Sequence, residues 1–238
     1  MREEKKGALR TIAVVAAMVL AFLIYAMMAW QDAGLPPAEE VIGDTLAQDR
    51  ADGAEPTRAI DWDALPPEVV AWVEVPGTRI DEPIVQASES DPNAYLRVDA
   101  LGRGAYGTPY IDCECSIDSR VVMVYGHHMS DGGVFADFAH FIDGGYANEH
   151  DKIILYKRSG KVLELHPAAI DVVNASCESL VIDQEADFKD LVDEADLVLI
   201  NPAEGDQFFA FATCSYQTSN SRTVVFACGG DNRTSVLD

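Results

Sequence analysis

Two apolar runs near the C-terminal end most restrict what this 238-residue chain can fold into. Phe208-Phe209-Ala210-Phe211-Ala212-Thr213-Cys214 and Ser221-Arg222-Thr223-Val224-Val225-Phe226-Ala227 each have strand length, and a short polar loop separates them. The pattern predicts a β-hairpin or a pair of adjacent strands. The thiol of Cys214 closes the first strand and the guanidinium of Arg222 opens the second, so both belong to the same end of the pair. Far upstream, Val121-Val122-Met123-Val124-Tyr125 reads as another buried strand and stops at Gly126-His127-His128. A strand-end cysteine, a strand-end histidine and a strand-start arginine can then converge at one rim of a sheet or barrel. Nucleophilic catalysis by a thiol needs such a pair of groups, here with a cation added.

The rest of the chain supplies more short strands. Ala64 to Trp72 opens a short helix with proline in its first turn. A strand follows from Trp72 to Val75, then a Pro76-Gly77 turn, then a second strand after Pro83. Asn93-Ala94-Tyr95-Leu96 reads as one helical turn, and Thr108 to Asp112 as a strand. Val134 to Phe141 has apolar residues at helical spacing. Lys152–Tyr156 and Lys161–Leu165 form a hairpin around Arg158-Ser159-Gly160, and Ala168–Val173 is a separate strand. Gln184 to Ala195 is a polar helix with Phe188, Leu191 and Val192 on its inner face. The expected fold is mostly β with peripheral helices: a mixed barrel of seven to eight strands.

Ahead of this domain, Thr11 to Trp30 carries no charge. As a helix it would span about 30 Å, the thickness of a bilayer's hydrocarbon core. Arg2, Lys5, Lys6 and Arg10 precede it, and Asp32, Glu39, Glu40 and Asp44 follow. The positive-inside tendency keeps the N-terminus cytoplasmic and sends the remainder outside. A cleaved signal peptide is the alternative, but the run is long for one and lacks a clear small-x-small site. The expected division is a tail (1–10), a transmembrane anchor (11–30), a linker rich in Ala, Gly, Pro and acid (31–63) and an extracellular domain (64–238).

The chain has 17 basic and 40 acidic residues, and residues 31–238 hold 13 and 38 of them. Such a surface argues against nucleic acid as a partner. The five cysteines, Cys113, Cys115, Cys177, Cys214 and Cys228, leave at least one thiol unpaired in a monomer. Cys113-x-Cys115 with His127-His128 offers four zinc ligands, yet the spacing is not the usual one and one histidine cannot easily serve two chemistries. Asp187, Asp190, Asp193 and Glu194 lack the twelve-residue pattern of a calcium loop. No metal and no cofactor is expected. An inert membrane-tethered binding module and a hydrolysing cysteine peptidase remain as alternatives.

Taken together, these pieces resemble a known family. Trp72-x-x-Val75-Pro76-Gly77-Thr78-x-Ile80-Asp81, Asn93-x-Tyr95-Leu96, Tyr125-Gly126-His127-His128-Met129 with Phe135, Thr213-Cys214 and Arg222-x-Val224-Val225 run in the order found in class B sortases. These are membrane-anchored cysteine transpeptidases of Gram-positive bacteria. The resemblance covers about residues 70 to 228, and the helical segment near Ser176 to Asn201 favours class B. The family's frequent Thr-Leu-x-Thr-Cys run is altered here to Ala210-Phe211-Ala212-Thr213-Cys214.

The resemblance implies a sortase-like barrel with Cys214 as nucleophile, His127 as general acid and base, and Arg222 as stabiliser of the oxyanion or substrate. Spacing alone leaves His127 and His128 equivalent; the family's histidine directly follows the glycine, which selects His127. The implied substrate is a secreted protein with a C-terminal sorting motif, cleaved after a threonine. The acyl group passes to an amine on a cell-wall peptidoglycan precursor or on a pilin. Leu96, Thr213 and the Gln184–Ala195 segment would line the groove.

Overall fold

The C-terminal hairpin forms the middle of the structure. The computed structural model describes residues 58–103, 106–176, 188–201, 207–215 and 220–229, all within one compact unit, residues 54–238. Strand β8 (Phe208–Cys214) pairs antiparallel with β9 (Ser221–Cys228), and Cys214 lies opposite Arg222. Along the other edge of β8 runs β4 (Val121–Gly126), parallel, in register from Val121 opposite Phe208 to Gly126 opposite Thr213. The three runs singled out in the sequence are therefore three neighbouring strands.

The remaining strands close a barrel around them. They are β1 (Val69–Glu74), β2 (Asp81–Gln86), β3 (Tyr110–Ile111), β5 (Ile153–Lys157) and β6 (Val162–Asn174). Hydrogen bonding runs β5-β1-β2-β3-β4-β8-β9-β6, and β5 pairs back onto β6, giving eight strands in the ring. A ninth, β7 (Leu197–Val198), attaches to β6 at Ala169 and Ile170. Closure leaves no free edge among the eight, which suits short strands that would otherwise template aggregation.

Four expectations change. The 64–72 region is a series of turns leading into β1, not a helix. Arg158 explains why: its guanidinium donates to the carbonyls of Trp62 (2.6 Å), Pro66 (2.7 Å) and Val69 (2.9 Å), taking oxygens a helix would need. Pro83 sits inside β2, opposite Trp72, rather than before it. Strand β3 reaches β2 only at Val85 and Gln86, so no neighbour requires the N–H that proline lacks. The strands expected at 161–165 and 168–173 are one strand, β6, continuous through Pro167 by an irregularity at Pro167/Ala169. Helix α1 (Gly144–Glu149) was hidden by its two glycines; Asp143 caps it, accepting from the N–H groups of Gly145 and Tyr146.

Other expectations hold. Asn93-Ala94-Tyr95-Leu96 is a single turn of 3-10 helix over Ala94–Leu96, and Ala136–His140 forms another. Of the 184–195 segment, Phe188–Asp193 is helical (α2), and residues 184–187 lie outside the described residues. Phe188 stacks on Phe208 at 3.9 Å between ring centres. Phe208 begins β8, so α2 covers the end of the strand about 20 Å from Cys214 at ordinary strand rise. Thr11–Trp30 also lies outside the described residues, among which no helix is long and apolar enough to cross a membrane.

Under β8 the core is aromatic. Phe138 stacks on Phe211 at 5.1 Å, and Phe135 meets Phe138 edge-on at 4.9 Å, all fully buried. Each such ring removes enough apolar surface from water to contribute about 1.5–3 kcal/mol.

Candidate active site

Strand register alone places the three candidate side chains together. Cys214 and Arg222 are cross-strand partners on β8 and β9. Paired residues on neighbouring strands present their side chains to the same face. The β4–β8 ladder ends at Gly126 opposite Thr213, and His127 follows by one residue. All three side chains line a groove of about 470 Å³, together with Leu96, Thr108, Tyr110, Asp112 and Tyr125. Cys214 is half-buried and not in a disulfide; Cys113 and Cys115 are not in disulfides either, and Cys177 lies outside the described residues.

Two of the three side chains are held by main chain. His127 Nε2 lies 2.6 Å from the carbonyl oxygen of Leu96. A carbonyl can only accept, so Nε2 carries the hydrogen and Nδ1 is the nitrogen left for proton exchange. Arg222 donates from Nη1 to the carbonyl of Ser221 at 3.0 Å, which fixes one edge of its guanidinium. Glycine is required twice beside these groups. A Cβ on Gly126 would lie 2.2 Å from Phe135, and one on Gly107, where φ is +71°, would lie 2.7 Å from the Leu96 oxygen and 2.8 Å from the His127 ring.

The second histidine does more than occupy the opposite face. His128 Nδ1 is 2.8 Å from the carbonyl oxygen of Cys214. Sequence reasoning missed this contact because its partner is a main-chain oxygen 86 residues away. Thr108, Tyr110, Asp112 and Tyr125 were likewise missed as groove residues. Two of the other histidines face main-chain carbonyls away from the groove: His150 Nδ1 that of Pro76, and buried His166 that of Asp151.

Part of the groove lining is phenolic. Tyr110 and Tyr125 lie 5.4 Å apart between ring centres. Burial pushes the Tyr125 phenol far above its usual range, and Asp112 adds to this as a neighbouring charge and acceptor. Tyr110 is raised in the same way, by burial and then by Asp112. Both hydroxyls remain protonated through neutral pH, so neither serves as a base; Tyr125 gives its one proton to Asp112, and Tyr110 is the phenol left to donate into the groove. Cys115 sits beneath them, its Sγ 3.6 Å from the Asp112 carbonyl and accepting from Met123 N–H at 3.5 Å. Burial pushes that thiol up, the opposite of what a nucleophile needs.

Leu96 contributes its half-buried side chain to the groove as well as its carbonyl to His127. Thr213 lines the groove but is 1% exposed, and among the described residues neither its Oγ1 nor that of its cross-strand partner Thr223 has a hydrogen-bond partner. Among the described residues no three His, Cys, Asp or Glu side chains gather as a metal site requires. The described part of the 184–195 segment contributes nothing to the groove wall.

A closed eight-strand barrel with a thiol, an imidazole and a guanidinium at one mouth defines a class of protein, and comparison with known proteins finds that class. No protein-family model matches the sequence. Sortase B of Listeria monocytogenes serovar 1/2a is 27% identical over 92 residues, which are 38% of this chain and 37% of that protein, little more than a third of either. The structure is similar to that of Clostridium perfringens sortase B, with a TM-score of 0.61 and 26% identity, covering 69% of this chain and 95% of that one. It shares its fold with Spy0129, a Streptococcus pyogenes class B sortase involved in pilus biogenesis, with a TM-score of 0.61, 21% identity and coverage of 71% and 97%. The chain thus resembles class B sortases in sequence and has their fold.

Proposed function

We propose that this chain is a sortase-type cysteine transpeptidase. The observation that carries the reading is the convergence of Cys214, His127 and Arg222 on one groove from three adjacent strands. The Cys214 thiol passes its proton to His127 Nδ1, and the resulting thiolate attacks the carbonyl carbon of a threonine in the sorting motif of a secreted protein. The carbonyl's electron pair moves to oxygen, and Arg222, which lines the same groove, holds the resulting negative charge. His127, through Nδ1, gives a proton to the departing amine as the C–N bond breaks, leaving a thioester on Cys214. An incoming amine, from a peptidoglycan precursor or a pilin, then attacks the thioester. His127 takes the amine's proton, the thiolate leaves, and a new amide is released.

In this reading Leu96 and Thr213 touch the bound motif, and Tyr110 offers it a hydroxyl donor from the opposite wall. The Thr11–Trp30 segment anchors the chain in the cell membrane, with the N-terminus cytoplasmic and the barrel outside. Reaction with water in place of the amine would make the same groove a cysteine peptidase. The test is to present the full chain, in detergent, with quenched fluorogenic peptides that share a fixed threonine, with and without hydroxylamine. Transpeptidation predicts a hydroxamate product at the threonine in the presence of hydroxylamine. Free acid at an undiminished rate, with no hydroxamate, supports the peptidase, and no cleavage at all rejects both.

A further inference from the structure

Cys214 is the last residue of β8, and its main chain stands at an unfinished edge of the sheet. On the β9 side, Ser215 N–H donates to the Ser221 carbonyl at 3.0 Å, and Ser221 Oγ donates back to the Ser215 carbonyl at 3.0 Å. Bonded and non-bonded pairs alternate along an antiparallel ladder. The Cys214–Arg222 pair is therefore a non-bonded one, and the Cys214 carbonyl turns away from β9, toward β4. Strand β4, however, pairs with β8 only as far as Gly126 and Thr213. The ladder that would receive this carbonyl has already ended.

The His128 ring stands there instead. Its Nδ1 is 2.8 Å from the Cys214 oxygen, and because a carbonyl only accepts, Nδ1 carries the hydrogen. The loop that presents the ring is itself tied down. Phe135 N–H donates to the His127 carbonyl at 2.9 Å, and His128 forms an isolated bridge with Val134. Val134 is buried at φ +58°, a conformation that a β-branched residue holds only where its surroundings dictate it. The neighbouring residue His127 is the proposed acid and base. One two-residue segment thus carries both the proton-transfer ring and the clamp on the nucleophile's peptide group.

We propose that His128 is a positioning residue: its Nδ1–H···O=C bond to Cys214 sets the peptide plane that aims the thiol at the substrate carbonyl. It rests on Cys214 being the nucleophile, as proposed above. His128 acts through Cys214 and not on the substrate. Asparagine carries its amide nitrogen at the same branch position as Nδ1 and can make the same bond. Leucine occupies similar space and cannot.

The experiment compares His128→Asn and His128→Leu with the wild-type full chain. Single-turnover acylation is measured by intact mass with the fluorogenic threonine peptides. The thermal midpoint and the ¹³C shift of a labelled Cys214 carbonyl are recorded alongside. Misplacing a reacting group by about 1 Å costs on the order of 100-fold, so H128L is expected to acylate about 10- to 100-fold more slowly with KM changed less than about twofold. H128N is expected to recover to within about threefold of wild type. The carbonyl shift should move in H128L and return in H128N. Full acylation by H128L overturns the proposal, as does equal loss in both variants in proportion to their loss of thermal stability. If the wild-type chain forms no acyl-enzyme at all, the functional reading has failed instead. The carbonyl shift and the iodoacetamide alkylation rate of Cys214 then decide: no change in H128L overturns the inference, and a change in both sustains it.

Discussion

The two walls of the groove are built to different standards. On the chemical wall, β8 pairs with β4 over six positions and with β9 over seven, and the phenylalanine cluster lies beneath it. The opposite wall is one 3-10 turn, Ala94–Leu96, and the two-residue strand β3. A ladder that long fixes the relative positions of Cys214, Thr213 and Arg222 as a rigid body, and a single turn does not. The difference teaches a division of labour: reacting groups sit where backbone pairing is deepest, and the surface that meets a ligand sits where it is shallowest. His127 spans the two, leaving the end of β4 and reaching across to the Leu96 carbonyl.

The largest effect that would break this contrast is on stability. Phe135→Ala removes a fully buried ring from between Gly126 and Phe211 and should cost about 3–5 kcal/mol, read by urea unfolding. A smaller cost would mean that the chemical wall is not packed as described. Next is Arg222→Ala, which should lower acylation by about 10²–10³-fold, as loss of an oxyanion partner does, with the thermal midpoint unchanged. Loss of folding instead would assign Arg222 to structure.

On the shallow wall, Gly107→Ala places a side chain at φ +71° against the Leu96 oxygen. It should lower the rate about tenfold, equivalent to about 1.4 kcal/mol of misplacement, and cost about 1–2 kcal/mol in urea unfolding for the positive φ, less than Phe135→Ala. A large stability loss there would erase the distinction between the walls. The smallest effect lies away from the groove. Burial, and then Glu74, push the Tyr156 phenol up to about 12. In the unfolded chain it ionises near its ordinary value of about 10. Because the folded state holds this proton more tightly, its contribution is complete below pH 10 and is lost as pH rises from there toward about 12. Tyr156→Phe should flatten that alkaline loss in pH-dependent melting without changing activity.

Much of the chemical wall was legible in the sequence because its strands are uninterrupted apolar runs ending in chemistry-bearing residues. Val121–Tyr125, Phe208–Cys214 and Ser221–Ala227 appear with nearly the bounds read from the sequence. What escaped was set by contacts distant in the chain. The Arg158 guanidinium gathers carbonyls about ninety residues before it and so prevents a helix that local residues favour. Pro83 and Pro167 read as breaks, but each sits at a position where the missing N–H is not needed or a bulge absorbs it. The Leu96 carbonyl on His127 and the Cys214 carbonyl on His128 leave no mark in side-chain pattern, since both partners are backbone.

The central claim is tested most directly by trapping the acyl-enzyme. The full chain is mixed with the fixed-threonine peptides, quenched in acid and mapped by peptide mass spectrometry. The account predicts a thioester on Cys214, carrying the peptide up to its threonine, that discharges when hydroxylamine is added and is absent from Cys214→Ala. Cleavage that persists in Cys214→Ala, or an adduct found only on Cys113, Cys115, Cys177 or Cys228, would contradict it.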